Sequence, residues 1–264
     1  MNDAITVTDL VVERGSATVL NGLTCHMPAG RITGLLGPSG AGKTTLIRAV
    51  VGVQVVRSGT VTVLGRPAGA RELRARVGYL TQAPSIYADL TVLENAHYFG
   101  SIAGADAAAA RAAVNQVGLS SSRDQLVGTL SGGQRSRASL ACAVVGDPEV
   151  LVLDEPTVGQ DPVLREELWA SFRERASRGT TVLVSSHVMD EANRCDRLLL
   201  IRDGGLLADD TPDEVKRRAG TDDLDRAFLA LIRNSAESVG PPGTTVPAGA
   251  RRRHARSHSK GISS

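Results

Sequence analysis

The strongest constraint on this chain is the run Leu35-Leu36-Gly37-Pro38-Ser39-Gly40-Ala41-Gly42-Lys43-Thr44-Thr45, which fits the phosphate-binding P-loop at every required position. The apolar residues 32–36 predict a buried strand just before it. Residues 44–51 carry the apolar spacing of a helix just after it. Strand, glycine loop and helix together turn a motif match into a mechanism. Gly37, Gly40 and Gly42 let the backbone take conformations closed to other residues, so that successive N–H groups, spaced by Pro38, Ser39 and Ala41, point inward at a triphosphate. The new helix adds unpaired N-terminal donors and the positive end of its dipole. In such a cup Lys43 sits between the β- and γ-phosphates, the Thr44 hydroxyl ligates Mg²⁺, and Thr45 reaches the α-phosphate.

With 264 residues, the chain can bury the core of one large α/β lobe plus a small helical one. Cys25, Cys142 and Cys195 lie far apart without a CxxC pair, which supports neither a disulfide framework nor a zinc site and suits a reducing cytosol. No run approaches the length of a membrane span, so work at a membrane calls for another chain to cross it. The formal charge is +2, but Arg251, Arg252, Arg253, Arg256 and Lys260 all fall in the last nineteen residues. Without those five the chain holds 25 basic against 28 acidic residues. No basic body for nucleic acid is evident. From about Ser235 the sequence is rich in Pro, Gly, Ser and Ala and reads as a disordered basic tail.

Along the chain, residues 4–12, 19–27 and 60–64 read as strands of an antiparallel β-layer flanking the P-loop strand. Residues 77–82 form a further strand ending in Gln82, and residues 83–90 a loop. Thr91 and Glu94 form a capping box that opens a helix. The Ala-rich stretch 107–117 is another helix, stopped by Gly118, so residues 91–127 predict a small all-helical insertion. Ser131 and Gln134 repeat the capping-box spacing before a helix over 135–145, and Gly132 and Gly133 leave bare N–H groups that a phosphate can approach.

Residues 150–153 are a continuous apolar run, as in a central parallel strand, and end in Asp154-Glu155. Carboxylates at that end of a buried strand sit where α/β sheets hold ligands. Asp154 can complete a Mg²⁺ shell and Glu155 can polarise an attacking water. Asp161-Pro162 caps the next helix, whose Leu164, Leu168, Phe172 and Ala176 share one face; Trp169 belongs with this core. Residues 181–184 form a strand leading into Ser185-Ser186-His187. A serine so close to its histidine makes a poor triad, and His187 reads instead as a γ-phosphate sensor. A strand over 197–202 and a capping box at Thr211 and Glu214 follow.

In this order and spacing the motifs resemble the nucleotide-binding subunit of ATP-binding cassette (ABC) transporters, over residues 4–234. Leu130 to Gln134 matches that family's signature sequence, which other P-loop ATPases lack. The wording from Ser185 to Ala192 looks most like bacterial drug-exporter ATPases of the daunorubicin-resistance type. The resemblance implies an α/β fold in which a P-loop core with a mostly parallel sheet carries the antiparallel β-layer and a helical subdomain over about 83–146. The ATPase domain then spans 1–234 and the tail 235–264.

It further implies that Gln82 is the Q-loop glutamine and a Mg²⁺ ligand with Thr44 and Asp154, that Asp154 and Glu155 are the Walker B pair, and that Gly159-Gln160-Asp161 is the D-loop and His187 the switch histidine. Glu155, His187 and Gln82 would then be catalytic, and Ser131, Gly132, Gly133 and Gln134 would face the ATP held by an opposite subunit. The implied cofactors are ATP and Mg²⁺. The implied partners are a second ATPase subunit, identical or related, and an integral membrane permease at the cytoplasmic face of the plasma membrane, with no nucleic acid. Coupling would run through Gln82 and the loop 83–90. Two positions depart from the family pattern: Arg14 stands where an aromatic usually stacks on adenine, and Gln160 where leucine is usual. The rival readings are a soluble ABC ATPase acting on ribosomes or DNA, which usually carries two cassettes or a coiled-coil insertion, and an importer ATPase, which often adds a C-terminal regulatory domain. The short low-complexity stretch after Asn234 favours export of a small, drug-like molecule.

Overall fold

The structure, a computed structural model, describes residues 2–238. β1 (Asp3–Arg14) and β2 (Ala17–Pro28) form a long hairpin, and β3 (Ile32–Leu36) leads through the glycine loop into α1 (Lys43–Val50). β4 (Ser58–Val63), β5 (Arg66–Pro67) and β6 (Val77–Leu80) precede three helices, α2 (Val92–Ala103), α3 (Ala107–Gln116) and α4 (Gly132–Val144). Then come β7 (Val150–Asp154), α5 (Pro162–Ser177), β8 (Thr181–Ser186), the one-turn α6 (Met189–Ala192), β9 (Arg197–Arg202), β10 (Gly205–Asp210), α7 (Pro212–Ala219) and α8 (Leu224–Ser238).

These elements make the expected α/β architecture. One sheet is antiparallel, in the order β2-β1-β4-β5; the other has the order β10-β9-β3-β8-β7-β6. In the second, β6, β7, β8, β3 and β9 run parallel and β10 returns antiparallel to β9. β3, β7 and β8 are buried along their whole length, which explains their unbroken apolar sequences. Their side chains alternate between two cores. Ile32, Leu36, Leu151, Leu153, Val182 and Val184 face the helices α2 to α5, whereas Leu35, Val150, Val152 and Leu183 face the antiparallel layer and α1. α1 touches β2, β4 and β7 and so lies between the two sheets, with Leu46, Ile47 and Val50 fully buried. The glycine loop is thereby fixed at the carboxyl end of β3, where open α/β sheets collect their ligands.

The helix starts follow local chemistry. Thr91 and Glu94 make both bonds of a capping box, as do Ser131 and Gln134, each box worth about 1 kcal/mol. Asp106, which the sequence reading missed, caps α3. At α7 only half of the expected box forms. Thr211 accepts from the Glu214 N–H, but the Thr211 N–H is taken by Asp210, and Glu214 pairs with Arg217 instead. β10 is an addition that the sequence reading did not make. α8 continues four residues past the boundary placed at Asn234, and the rest of the proposed tail lies outside the described residues. Among the described residues no helix is long and apolar enough to cross a membrane.

Candidate functional site

The P-loop wraps the first turn of α1. Gly42 is the residue before that helix, at φ 106°, a conformation side-chain-bearing residues rarely adopt, and a Cβ there would come within 2.7 Å of Leu20 Cδ2. The loop is braced from outside: Ala41 N donates to Pro38 O (3.2 Å), and Gly204, in the β9–β10 turn, donates its N–H to Ala41 O (3.2 Å). Lys43 is buried, with Nζ donating to Gly37 O (2.7 Å) and Pro38 O (3.1 Å). Burial pulls its pKa below the ordinary lysine value, while Glu155 and Asp154 pull the other way.

A cavity of about 400 Å³ opens over this loop. Ser39, Gly40, Gly42, Lys43, Thr44 and Thr45 form its floor, Arg14 and Val19 one wall, and Gln82 and Glu155 the opposite one. Residues far apart in sequence thus share one space, because β6, β7 and β3 end on the same side of one sheet. Arg14 arrives from the tip of the β1–β2 hairpin.

The acid wall is tightly constrained. Asp154 ends β7 with 1% of its surface exposed, and its Oδ1 accepts from Ser185 Oγ at 2.7 Å. Its Oδ2 is buried and has no protein partner. Ser185 Oγ also accepts the Glu155 N–H at 3.0 Å, so one fully buried hydroxyl fixes both acidic residues. Glu155 itself has φ 53°, in the left-handed region, which costs a non-glycine residue about 1–3 kcal/mol and recurs at functional sites. That turn aims the carboxylate into the cavity. Gln82 Nε2 donates to Glu155 Oε2 (3.2 Å), and His187 Nδ1 stands 3.6 Å from Oε1. An amide and an imidazole thus flank one carboxylate.

Ser131, Gly132, Gly133, Gln134 and Asp161 do not line this cavity. They form a second locus: Ser131 Oγ caps α4 through the Gln134 N–H (3.3 Å), and Asp161 Oδ1 caps α5 through the Leu164 N–H (3.0 Å). Gln160 links the two, with Oε1 3.4 Å from where a Cβ on Gly133 would stand. Ser185 is the functional-site residue the sequence reading passed over. Its serine-histidine neighbourhood drew attention only as an implausible triad, and its bonds to β7 span some thirty residues that local pattern cannot see.

The sequence profile of the ABC transporter family matches residues 20–158. The Nod factor export ATP-binding protein I of Burkholderia lata is 43% identical over 205 residues, which cover 75% of this chain and 67% of that protein. A probable multidrug ABC transporter ATP-binding protein of Escherichia coli is 37% identical over 214 residues, covering 77% of this chain and 37% of that one. A solved structure described as the ATP binding subunit of an ABC transporter superposes with a TM-score of 0.81 at 26% identity, covering 87% of this chain and 99% of the other.

Proposed function

The chain belongs to the ABC transporter family, as an ATP-binding cassette ATPase, and from that premise we propose that it hydrolyses Mg²⁺-bound ATP to drive export of a small molecule through a separate membrane permease. The observation that carries the catalytic part is the convergence of Gln82 and His187 on Glu155, which lines the cavity over the P-loop. Lys43 already meets two carbonyl oxygens at the loop mouth, and phosphate oxygens offer the same ammonium stronger, charged acceptors. Arg14, on the opposite wall, stacks its guanidinium on the adenine. Mg²⁺ fits the donor set: Asp154 Oδ2 is a buried carboxylate oxygen without a partner, and Thr44 and Gln82 line the cavity over the P-loop. When bound, the ion neutralises charge on the β- and γ-phosphates. Glu155 Oε accepts a proton from water as the water oxygen bonds the γ-phosphorus and the β,γ-bridging oxygen departs with ADP. His187 orients and senses the terminal phosphate at the same carboxylate.

The second locus, Ser131 to Gln134 with Asp161, lies outside the cavity of its own subunit, which supports a head-to-tail pair of subunits, each closing the other's site. A groove of about 290 Å³ between β6, α2 and α4 supports the permease contact; Thr81, Ser85, Ile86, Phe99 and Ile102 are among its walls. The loop after Gln82 borders it and is pinned by Asn95, whose amide bonds both the N–H and the C=O of Tyr87. Movement of Gln82 at the carboxylate is thereby transmitted to the groove. The names of the Burkholderia and Escherichia relatives support export, and a permease partner would hold the protein at the cytoplasmic face of the plasma membrane.

Purified protein should release phosphate from ATP only when Mg²⁺ is present, and Glu155→Gln should lower kcat by about 10²–10⁴-fold with ATP still bound. Turnover at the wild-type rate in that variant would remove Glu155 from the chemistry.

A further inference from the structure

Gln160 is the D-loop residue that departs from the family pattern, and its surroundings give it a use. Its backbone N–H closes a turn on Thr157 O at 3.2 Å, and only 8% of its surface is exposed. The side chain lies over the start of α4, with Oε1 3.4 Å from the Cβ position of Gly133, an ordinary contact distance. Nε2 is buried and has no hydrogen-bond partner. Gly132 and Gly133 are the first two residues of α4, so their N–H groups have no carbonyl four residues back inside the helix. The Ser131 hydroxyl is spent on the Gln134 N–H.

An amide group with an unpaired donor and two backbone donors therefore lie at one helix N-terminus. A buried donor without an acceptor destabilises the isolated subunit, and an acceptor brought in from outside reverses that penalty. The helix dipole at this end selects an anion. A leucine at 160 would remove the unmet donor and bury the same volume of apolar surface, so the amide is costly unless it is used.

We propose that Gln160 Nε2 donates to the terminal phosphate of the ATP held by the opposite subunit, which makes the D-loop side chain part of the α4 half-site. This rests on the two-subunit reading above. Gln160 would then be a recognition residue for nucleoside triphosphate over diphosphate, acting only in the closed pair.

The test compares Gln160→Leu and Gln160→Glu with Gln160 itself, all in Glu155→Gln protein, by sedimentation velocity with ATP and Mg²⁺ and by thermal melting of the subunit without nucleotide. Gln160→Leu should raise the melting temperature yet weaken the ATP-dependent pair about tenfold. Gln160→Glu, which sets a carboxylate against the phosphate, should weaken it by a further factor of about ten. Opposite signs in melting and pairing for the leucine variant are what a packing role cannot produce. The proposal is overturned if Gln160→Leu pairs as tightly as its parent, or if both variants weaken pairing equally and melt lower. A parent that never pairs overturns the two-subunit reading, and this inference with it.

Discussion

At the start of α1 the ammonium of Lys43 is held by two carbonyls of its own loop, the loop is braced by Gly204, and the facing carboxylate of Glu155 is met by Gln82. At the start of α4, Ser131 and Gln134 complete the cap, but Gly132 and Gly133, as first residues of the helix, have N–H groups without an intrahelical partner, and Gln160 Nε2 has no acceptor. Both are helix N-termini rich in glycine, and both suit an anion. The first holds its own lysine and carboxylate; at the second the one acid, Asp161, is spent on capping α5. On the proposed reading, a chain built this way binds nucleotide alone at one end and needs a second copy, or a related subunit, to use the other.

Four variants break or sharpen this contrast. Removal of the ammonium in Lys43→Ala should lower ATP affinity by about 100-fold, measured by calorimetry, because a charge-assisted phosphate contact is lost from the α1 end. Ser185→Ala strips the hydroxyl that fixes Asp154 and the Glu155 N–H, and should lower kcat about tenfold with KM for ATP nearly unchanged. It should also reduce unfolding stability by about 1–3 kcal/mol, since two buried groups lose their partner, and Ser185→Thr should restore most of both. Ser131→Ala should cost about 1 kcal/mol of stability through the cap and slow turnover, with nucleotide affinity of the single subunit held. An equal drop in that affinity would mean that the two ends are not independent. Smallest is Arg14→Ala, expected to weaken ATP about three- to tenfold and inorganic triphosphate not at all, if the guanidinium stacks on the base.

Much of this was legible in the chain because its signals are local. The P-loop is bounded by β3 exactly where Ile32 to Leu36 reads as a strand, and Thr91 with Glu94 and Ser131 with Gln134 announce their helices through bonds three residues long. What the sequence could not show depends on distance. Ser185 meets Asp154 and Glu155 only because β7 and β8 are neighbours, and the left-handed turn at Glu155 leaves no mark in residue type. β10, with its closing pair of aspartates, lacks strand alternation and forms because β9 offers an edge. Thr211 and Glu214 have the spacing of a full box, but Asp210 next door and Arg217 one turn on compete for both partners. Gln160 stood out as unusual in sequence, yet only its contact with Gly133 says where it acts.

The shared-ATP arrangement is tested most directly by the mass of Glu155→Gln protein in solution, followed by light scattering as nucleotide is changed. With ATP and Mg²⁺ the mass should rise to about twice the 27.6 kDa of one chain and fall back when ADP replaces ATP. Protein that binds ATP fully and stays at the single-chain mass would contradict a site built from two subunits.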